Sequence, residues 1–506
     1  MGSNRWDELN QEAIALMQNG HFQQALEPAQ AALDLALQEK NDSHPDVAVS
    51  LNNLGELYHL LESYPEAEKV LQQSLDISEA VNGKHSSEVA DTLGNIAELY
   101  ISQQRFHDAE SCIKRVLDIC EKRDSDLLMP LNILAIIYQG LGEPALAKEQ
   151  LERALELAEK SRGKDDPDLG SILKSIATIE QQNGDLEAAE RRLRRALVIY
   201  ENSIGVSHPA FASILSHLAG IYMVNGYFQA AEPLLNQAVD IFRQPTLQSG
   251  VELAETLEKL AALYGSAGKN ERAEPIWKEA LEIYVSSLGD NHPAVAQVQN
   301  SLAEFYLNSG RPESAYPLLQ TSLAVREKLF GATHPAVAQS LNNWGVLHNM
   351  RGENTLAIKQ HKRALEIRET AFGREHPAIT QSLDNLAVLY KDQGKLDRAK
   401  ECLKQSIAIW EKTVGDEHPA VAQSYHNLAT LYITSEEYTE AEKPLLAARK
   451  ILEKGEERND MHLLVVYETL ATLYEKTGNV QLANEYAARV HKIRKPEQMQ
   501  RGEKSL

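Results

Sequence analysis

Cysteine is scarce in this chain of 506 residues: Cys112, Cys120 and Cys402 are all it has. Three thiols cannot frame so long a chain with disulfides, and such usage suits a reducing compartment. Cys112 and Cys402 fall among the apolar positions of helices, where small buried thiols are ordinary. Apolar runs of bilayer length are missing. The start, Met1-Gly2-Ser3-Asn4-Arg5-Trp6, lacks the apolar core of a signal peptide, and Trp6 stands where a myristoylation motif needs Ser or Thr. A cytoplasmic protein without membrane insertion is therefore expected. Basic residues also fall short, 51 Lys and Arg against 73 Asp and Glu, for a net charge of −22. That balance argues against nucleic acid and anionic membranes as main partners. The acidity reads as the solubility device of a large exposed surface. Phosphate-cradling glycine loops, paired metal-binding cysteines, zinc-protease helices and nucleophile elbows are all absent. No enzyme, no cofactor and no metal site is expected.

What the chain has is a period. Small residues return at Ala13, Gly55, Ala97, Ala135, Ala177, Ala219, Ala261, Ala303, Gly345, Ala387, Ala429 and Ala471. Every interval is 42 residues except Ala97 to Ala135, which is 38. Twelve residues after each anchor stands an alanine, from Ala25 to Ala483. A repeat of this size cannot bury its own apolar face and must stack on its neighbours.

One unit shows the logic. His376-Pro377 opens a helix, with proline in the first turn where a missing N–H costs nothing. Leu383, Leu386, Ala387 and Tyr390 form one apolar stripe, and Gly394 suits the C-cap. A second stripe runs through Leu396, Ala399, Leu403, Ile407, Trp410 and Val414 to Gly415. The spacing predicts an antiparallel helical hairpin whose axes approach most closely at Ala387 and Ala399. Tyrosines three residues after most anchors, such as Tyr306 and Tyr390, read as core rings facing a neighbouring helix.

This order of leucine, small residue, tyrosine, turn glycine and second-helix alanine resembles the tetratricopeptide repeat. The 42-residue length, with segments such as His334-Pro335-Ala336-Val337-Ala338-Gln339, is similar to the repeats of kinesin light chains and their bacterial relatives. The resemblance implies an all-α fold, a right-handed α-solenoid superhelix of about twelve antiparallel helix pairs. Residues 1–494 are expected to form one continuous solenoid, followed by a polar tail at 495–506. Curvature is expected to change near 121–130, where the period shortens, and near 243–251, where a Gln-Pro segment replaces the usual His-Pro. Because repeats begin near residue 4, no room is left for the heptad segment of a kinesin light chain. A stand-alone repeat protein is expected rather than a motor subunit.

The resemblance further implies that the first helix of each unit lines a concave groove. Two residues before the anchors stand Asn53 and Asn95 near one end, and Asn343, Asn385 and Asn427 near the other. Four residues earlier come Gln339, Gln381 and Gln423, with Gln297 one unit before. A carboxamide offers donor and acceptor together, so a row of them can read peptide backbone. This is similar to the asparagine ladder of O-linked N-acetylglucosamine transferase. The ladder stops at Ile133, Ser175, His217, Lys259 and Ser301. The expected function is a scaffold or adaptor holding an extended segment of a protein or peptide partner. The alternatives are a peptide-responsive sensor whose superhelix changes pitch and a kinesin light chain-type cargo adaptor; homo-oligomerisation stays open. The His-Pro histidines repeat too far apart to share a metal ion and read as helix caps. The run Arg191-Arg192-Leu193-Arg194-Arg195 reads as a salt-bridged outer face rather than a nucleic-acid patch. Only Lys174 would serve a terminal-carboxylate clamp on the first helices.

Overall fold

The computed structural model describes residues 2–244, 250–454 and 460–502; the side chains of 2–4, 460–461 and 494–502 lie outside that description. The described residues form 24 α-helices and one short 3-10 segment, with no strand. Each repeat folds as the expected hairpin of consecutive, packed helices. The chain divides into two compact units, residues 1–249 and 250–506. The first holds the hairpins Gly2–Gln18 with Phe22–Glu39, Pro45–Leu60 with Tyr64–Asn82, Ser87–Ser102 with Phe106–Arg123, Leu128–Gly140 with Pro144–Arg162, Asp168–Gln182 with Leu186–Ser203, and Pro209–Val224 with Phe228–Phe242. The second holds Gly250–Ser266 with Asn270–Leu288, Pro293–Asn308 with Pro312–Phe330, Pro335–Met350 with Asn354–Phe372, Thr380–Asp392 with Leu396–Val414, Pro419–Thr434 with Tyr438–Lys454, and Asp460–Lys476 with Val480–Gly502. The division falls within 243–251, where the Gln-Pro segment replaces the usual His-Pro, and residues 245–249 lie outside the described residues. Of the tail, the last helix is described to Gly502.

Why these residues make these helices is visible at their ends. His44, His208, His292, His334, His376 and His418 are N-caps, each accepting through Nδ1 from the backbone N–H two residues on, at 3.1–3.2 Å. The following proline occupies the first turn. At Pro377–Ile379 that turn is 3-10, and the α-helix begins only at Thr380, three residues later than the His-Pro pair suggests. The turn between paired helices demands a left-handed residue. Nine repeats place glycine there, and the other three force Glu62, Gln104 and Glu436 to φ of 59°, 59° and 60°. Packing of the hairpin therefore dictates this turn even where the residue resists it.

The anchors do what their size suggests. Ala387 and Ala399 are buried, and the core of the last repeats runs from Leu386 through Leu403 and Ile407 to Tyr486. Tyrosines fasten one repeat to the next: Tyr306 donates to Glu274 of the preceding second helix at 3.1 Å, and Tyr474 to Glu442 at 2.7 Å. Tyr100 with Glu68 repeats the device in the first unit at 3.0 Å. Where the period loses four residues, Asp124 turns left-handed at φ 53°, and the next helix, Leu128–Gly140, has only 13 residues. The arginine run is fully paired: Arg191 with Glu187, Arg192 with Glu152, Arg194 with Glu190 and Arg195 with Glu159.

Candidate functional site

Within each unit, most consecutive first helices come into direct contact, as Pro293–Asn308 does with Pro335–Met350, whereas consecutive second helices do not approach comparably. The first helices therefore line the narrower side of the stack. Charge is sparse there in the second unit. Pro335–Met350 and Pro419–Thr434 carry no Asp, Glu, Lys or Arg, and Pro293–Asn308 carries only Glu304.

The nine candidate amides lie on first helices, and several bond to polar groups of a neighbouring repeat. Asn53 donates to Asn10 Oδ1 at 3.0 Å, and Asn95 to Asn52 Oδ1 at 3.1 Å. Both reach back one repeat. Asn343, only 7% exposed, leans the same way toward the Asn300 carbonyl at 3.5 Å. Gln297 accepts from Arg326 at 2.5 Å and donates to Ser301 at 3.3 Å. Gln381 accepts from both Asn342 and Arg368 at 3.1 Å. Gln423 donates to Asn427 at 3.0 Å on its own helix. Gln339 and Asn385 are half-buried and make no hydrogen bond among the described residues. A side-chain amide has more valences than one such bond uses, so the rows both stitch helices together and keep donors and acceptors for a ligand.

Gln339, Asn343 and Gln381 share one cavity of about 440 Å³ with Glu304, Phe372 and Arg368. Burial pushes Glu304 above the usual carboxylate range, with the Asn343 amide pulling the other way. In the first unit, where the ladder stops, the comparable cavity is about 180 Å³ and is lined by Asn132, Ile136, Ser171, Ser175 and Thr178. That lining also includes Gln139, so it holds two amides and three hydroxyls where the larger cavity holds three amides.

Sequence reasoning missed a buried polar cluster behind the ladder. Arg326 is 2% exposed and Arg368 8%. Arg326 donates to the Ala336 carbonyl and Ser340 Oγ at 2.8 Å as well as to Gln297. Arg368 donates to Ser382 Oγ and Gln381 at 3.1 Å. Neither has a carboxylate partner among the described residues, and burial lowers the pKa of both, Arg326 to about 10. Beside them His361, buried, binds Asn342 Oδ1 at 3.0 Å; burial and then the Arg368 charge lower its pKa to about 4. His361 replaces the leucine that Leu319 and Leu403 supply in adjacent repeats, and its ring fills the space an anchor Cβ at Gly345 would need, 2.4 Å away. The missed signal was a glycine anchor coinciding with a histidine in the leucine row.

The tetratricopeptide repeat model matches residues 9–122, 126–202 and 252–454 in overlapping segments. The chain belongs to the tetratricopeptide repeat family. Among solved structures, BtubC (BKLC) from P. vanneervenii is 27% identical, covering 47% of this chain and 92% of that one, with a TM-score of 0.37. A putative kinesin light chain of nearly identical TPR-like repeats from Podosopora anserina is 26% identical, covering 42% and 100%, with a TM-score of 0.35. No curated protein matches the chain. Tetratricopeptide repeats build scaffolds for protein–protein interaction and are typically not enzymes; this chain is such a scaffold. No described helix is long and apolar enough to cross a membrane.

Proposed function

We propose that the first helices of the second unit form a groove that holds an extended segment of a partner protein through its side-chain amides. The observation that supports this best is the pair Gln339 and Asn385. Both sit on first helices with their amide groups unengaged, Gln339 on a helix without Asp, Glu, Lys or Arg and Asn385 beside Asp384. Gln297, Asn343, Gln381, Gln423 and Asn427 extend the same row over neighbouring repeats. Amides spaced one repeat apart suit a backbone whose own N–H and C=O groups recur along its length. Asn53 and Asn95 would form a second, shorter stretch in the first unit. The partner is a protein segment rather than nucleic acid, since three of the first helices here carry no Lys or Arg to hold phosphates.

The test is the combined variant Asn343→Ala, Asn385→Ala and Asn427→Ala. Captured from lysate by the native chain and identified by mass spectrometry, a partner should be lost to the variant while circular dichroism stays helical. Undiminished capture by a folded variant would refute the groove.

A further inference from the structure

The outer faces of the second helices carry a charge pattern that the groove leaves unused. Fourteen, seventeen and twenty-one residues after each anchor, side chains form one stripe along the second helix, and almost all of them are exposed. Across residues 1–249 this stripe holds eight acidic and four basic residues; across 250–506 it holds four acidic and seven basic. Pairing sharpens the reversal. In the first unit Lys114, Arg191 and Arg194 are engaged by Glu110, Glu187 and Glu190 of their own helices. Its acids Glu27, Asp34, Asp76, Glu149 and Glu156 make no ion pair among the described residues. In the second unit Lys359, Lys362, Lys404, Lys443 and Lys450 likewise make none, and Lys404 leans over the Tyr432 ring at 5.8 Å. These lysines run over three consecutive second helices, Asn354–Phe372, Leu396–Val414 and Tyr438–Lys454, and only Glu366 and Glu401 interrupt them.

An exposed row of unpaired lysines is complementary to an acidic surface, and this chain carries one on its other unit. Both units are built from the same hairpin, so the acidic and basic stripes share one spacing and match repeat for repeat. We infer that the lysine stripe between residues 359 and 450 docks a second copy of this chain through the acidic stripe between residues 27 and 156. The net charge of −22 opposes the approach of two copies, but it acts over longer distances than the contact between stripes. At about 0.1 M salt the screening length is about 10 Å, which quiets distant repulsion and leaves opposed side chains attracting. Single exposed ion pairs contribute little. The contact therefore needs several repeats engaged at once, and it fixes which faces meet more than how tightly they hold. None of the first-helix amides takes part, so this contact stands apart from the groove.

The experiment is sedimentation velocity on the full chain over a range of concentrations, at about 0.1 M salt and at about 1 M, where the screening length falls to about 3 Å. Mass should rise with concentration at the lower salt and return to that of one chain at the higher. Two charge-reversed chains then locate the contact. One carries Lys359→Glu, Lys362→Glu, Lys404→Glu, Lys443→Glu and Lys450→Glu; the other carries Glu27→Lys, Asp34→Lys, Asp76→Lys, Glu149→Lys and Glu156→Lys. Each bears like charge on both stripes, so its self-association should weaken by about tenfold or more. All ten positions are exposed, and circular dichroism checks that both chains stay helical. Mixed in equal amounts, the two should associate with each other, a recovery that misfolding cannot imitate. A native chain that remains single at every concentration overturns the inference, and binding of some other acidic protein to the lysines would not restore it. Association that survives either reversal, or a mixture that fails to recover it, overturns it as well.

Discussion

Residues 1–249 carry 38 acidic and 20 basic side chains, residues 250–506 carry 35 and 31, so nearly all the excess charge belongs to the first unit. Their interiors differ in the opposite sense. Along the second-helix position 23 residues after each anchor, the first unit has Ala36, Ser78, Cys120, Ala158, Tyr200 and Phe242, whereas the second includes Arg326 and Arg368. At this position one unit keeps uncharged side chains and buries charge elsewhere only as the paired Glu180, whereas the other admits unpaired cations, with a neutral histidine nearby. A common hairpin geometry thus tolerates two interiors, provided the next first helix supplies the right atoms. Ser340 and Ser382 offer hydroxyls to the arginines, while Ile214 stands at the corresponding place facing Tyr200's side of the stack.

The comparison breaks most visibly by exchange. Tyr200→Arg puts a cation where Ile214 stands in place of a serine and only the Asp168 charge is felt, and should cost about 1–3 kcal/mol. A chemical denaturation midpoint unmoved by that change would show that any interior accepts arginine.

Asp384 sharpens the contrast within the second unit. Burial raises its pKa from 3.8 to about 6, and its Oδ1 has no partner. A carboxyl with a raised native pKa destabilises the fold as pH climbs from about 4 to 6, and the deficit is complete above 6. Asp384→Asn, which continues the row of Asn300 and Asn342, should therefore stabilise by up to about 3 kcal/mol at pH 8. The gain should vanish near pH 3.5. Melts at both pH values decide it, and an equal gain at each would deny the burial effect.

Ala399→Leu tests what the units share. It forces three extra carbon atoms into the helix approach and should cost about 1–3 kcal/mol; an unchanged melt would mean the helices cross elsewhere. Smallest of all, Glu436→Gly relieves a left-handed turn and should gain under about 1 kcal/mol, because glycine's unfolded-state entropy offsets part of the relief. Loss of stability there would show that the Glu436 side chain contributes contacts.

Much of this architecture was legible in the sequence because it depends on size and period. Ala387 and Ala399 announced the helix approach, the histidine-proline pairs announced the caps, and glycines announced the turns. The site was less legible. Spacing placed Gln339 and Asn385 on first helices, but it could not reveal that Asn53 and Asn95 bond to the preceding repeat, since that depends on the offset between neighbouring helices. Arg326 and Arg368 escaped notice because long polar side chains in a second helix ordinarily face water. Only packing shows that these two turn inward.

The tyrosine-to-glutamate fastenings carry a mechanical corollary. Tyr306 bonds back to Glu274 and Tyr474 to Glu442, each one repeat away, so within a unit tension on the backbone is borne in series rather than shared. Pulled by an optical trap, such a unit should give way hairpin by hairpin, each rupture releasing a like length of chain.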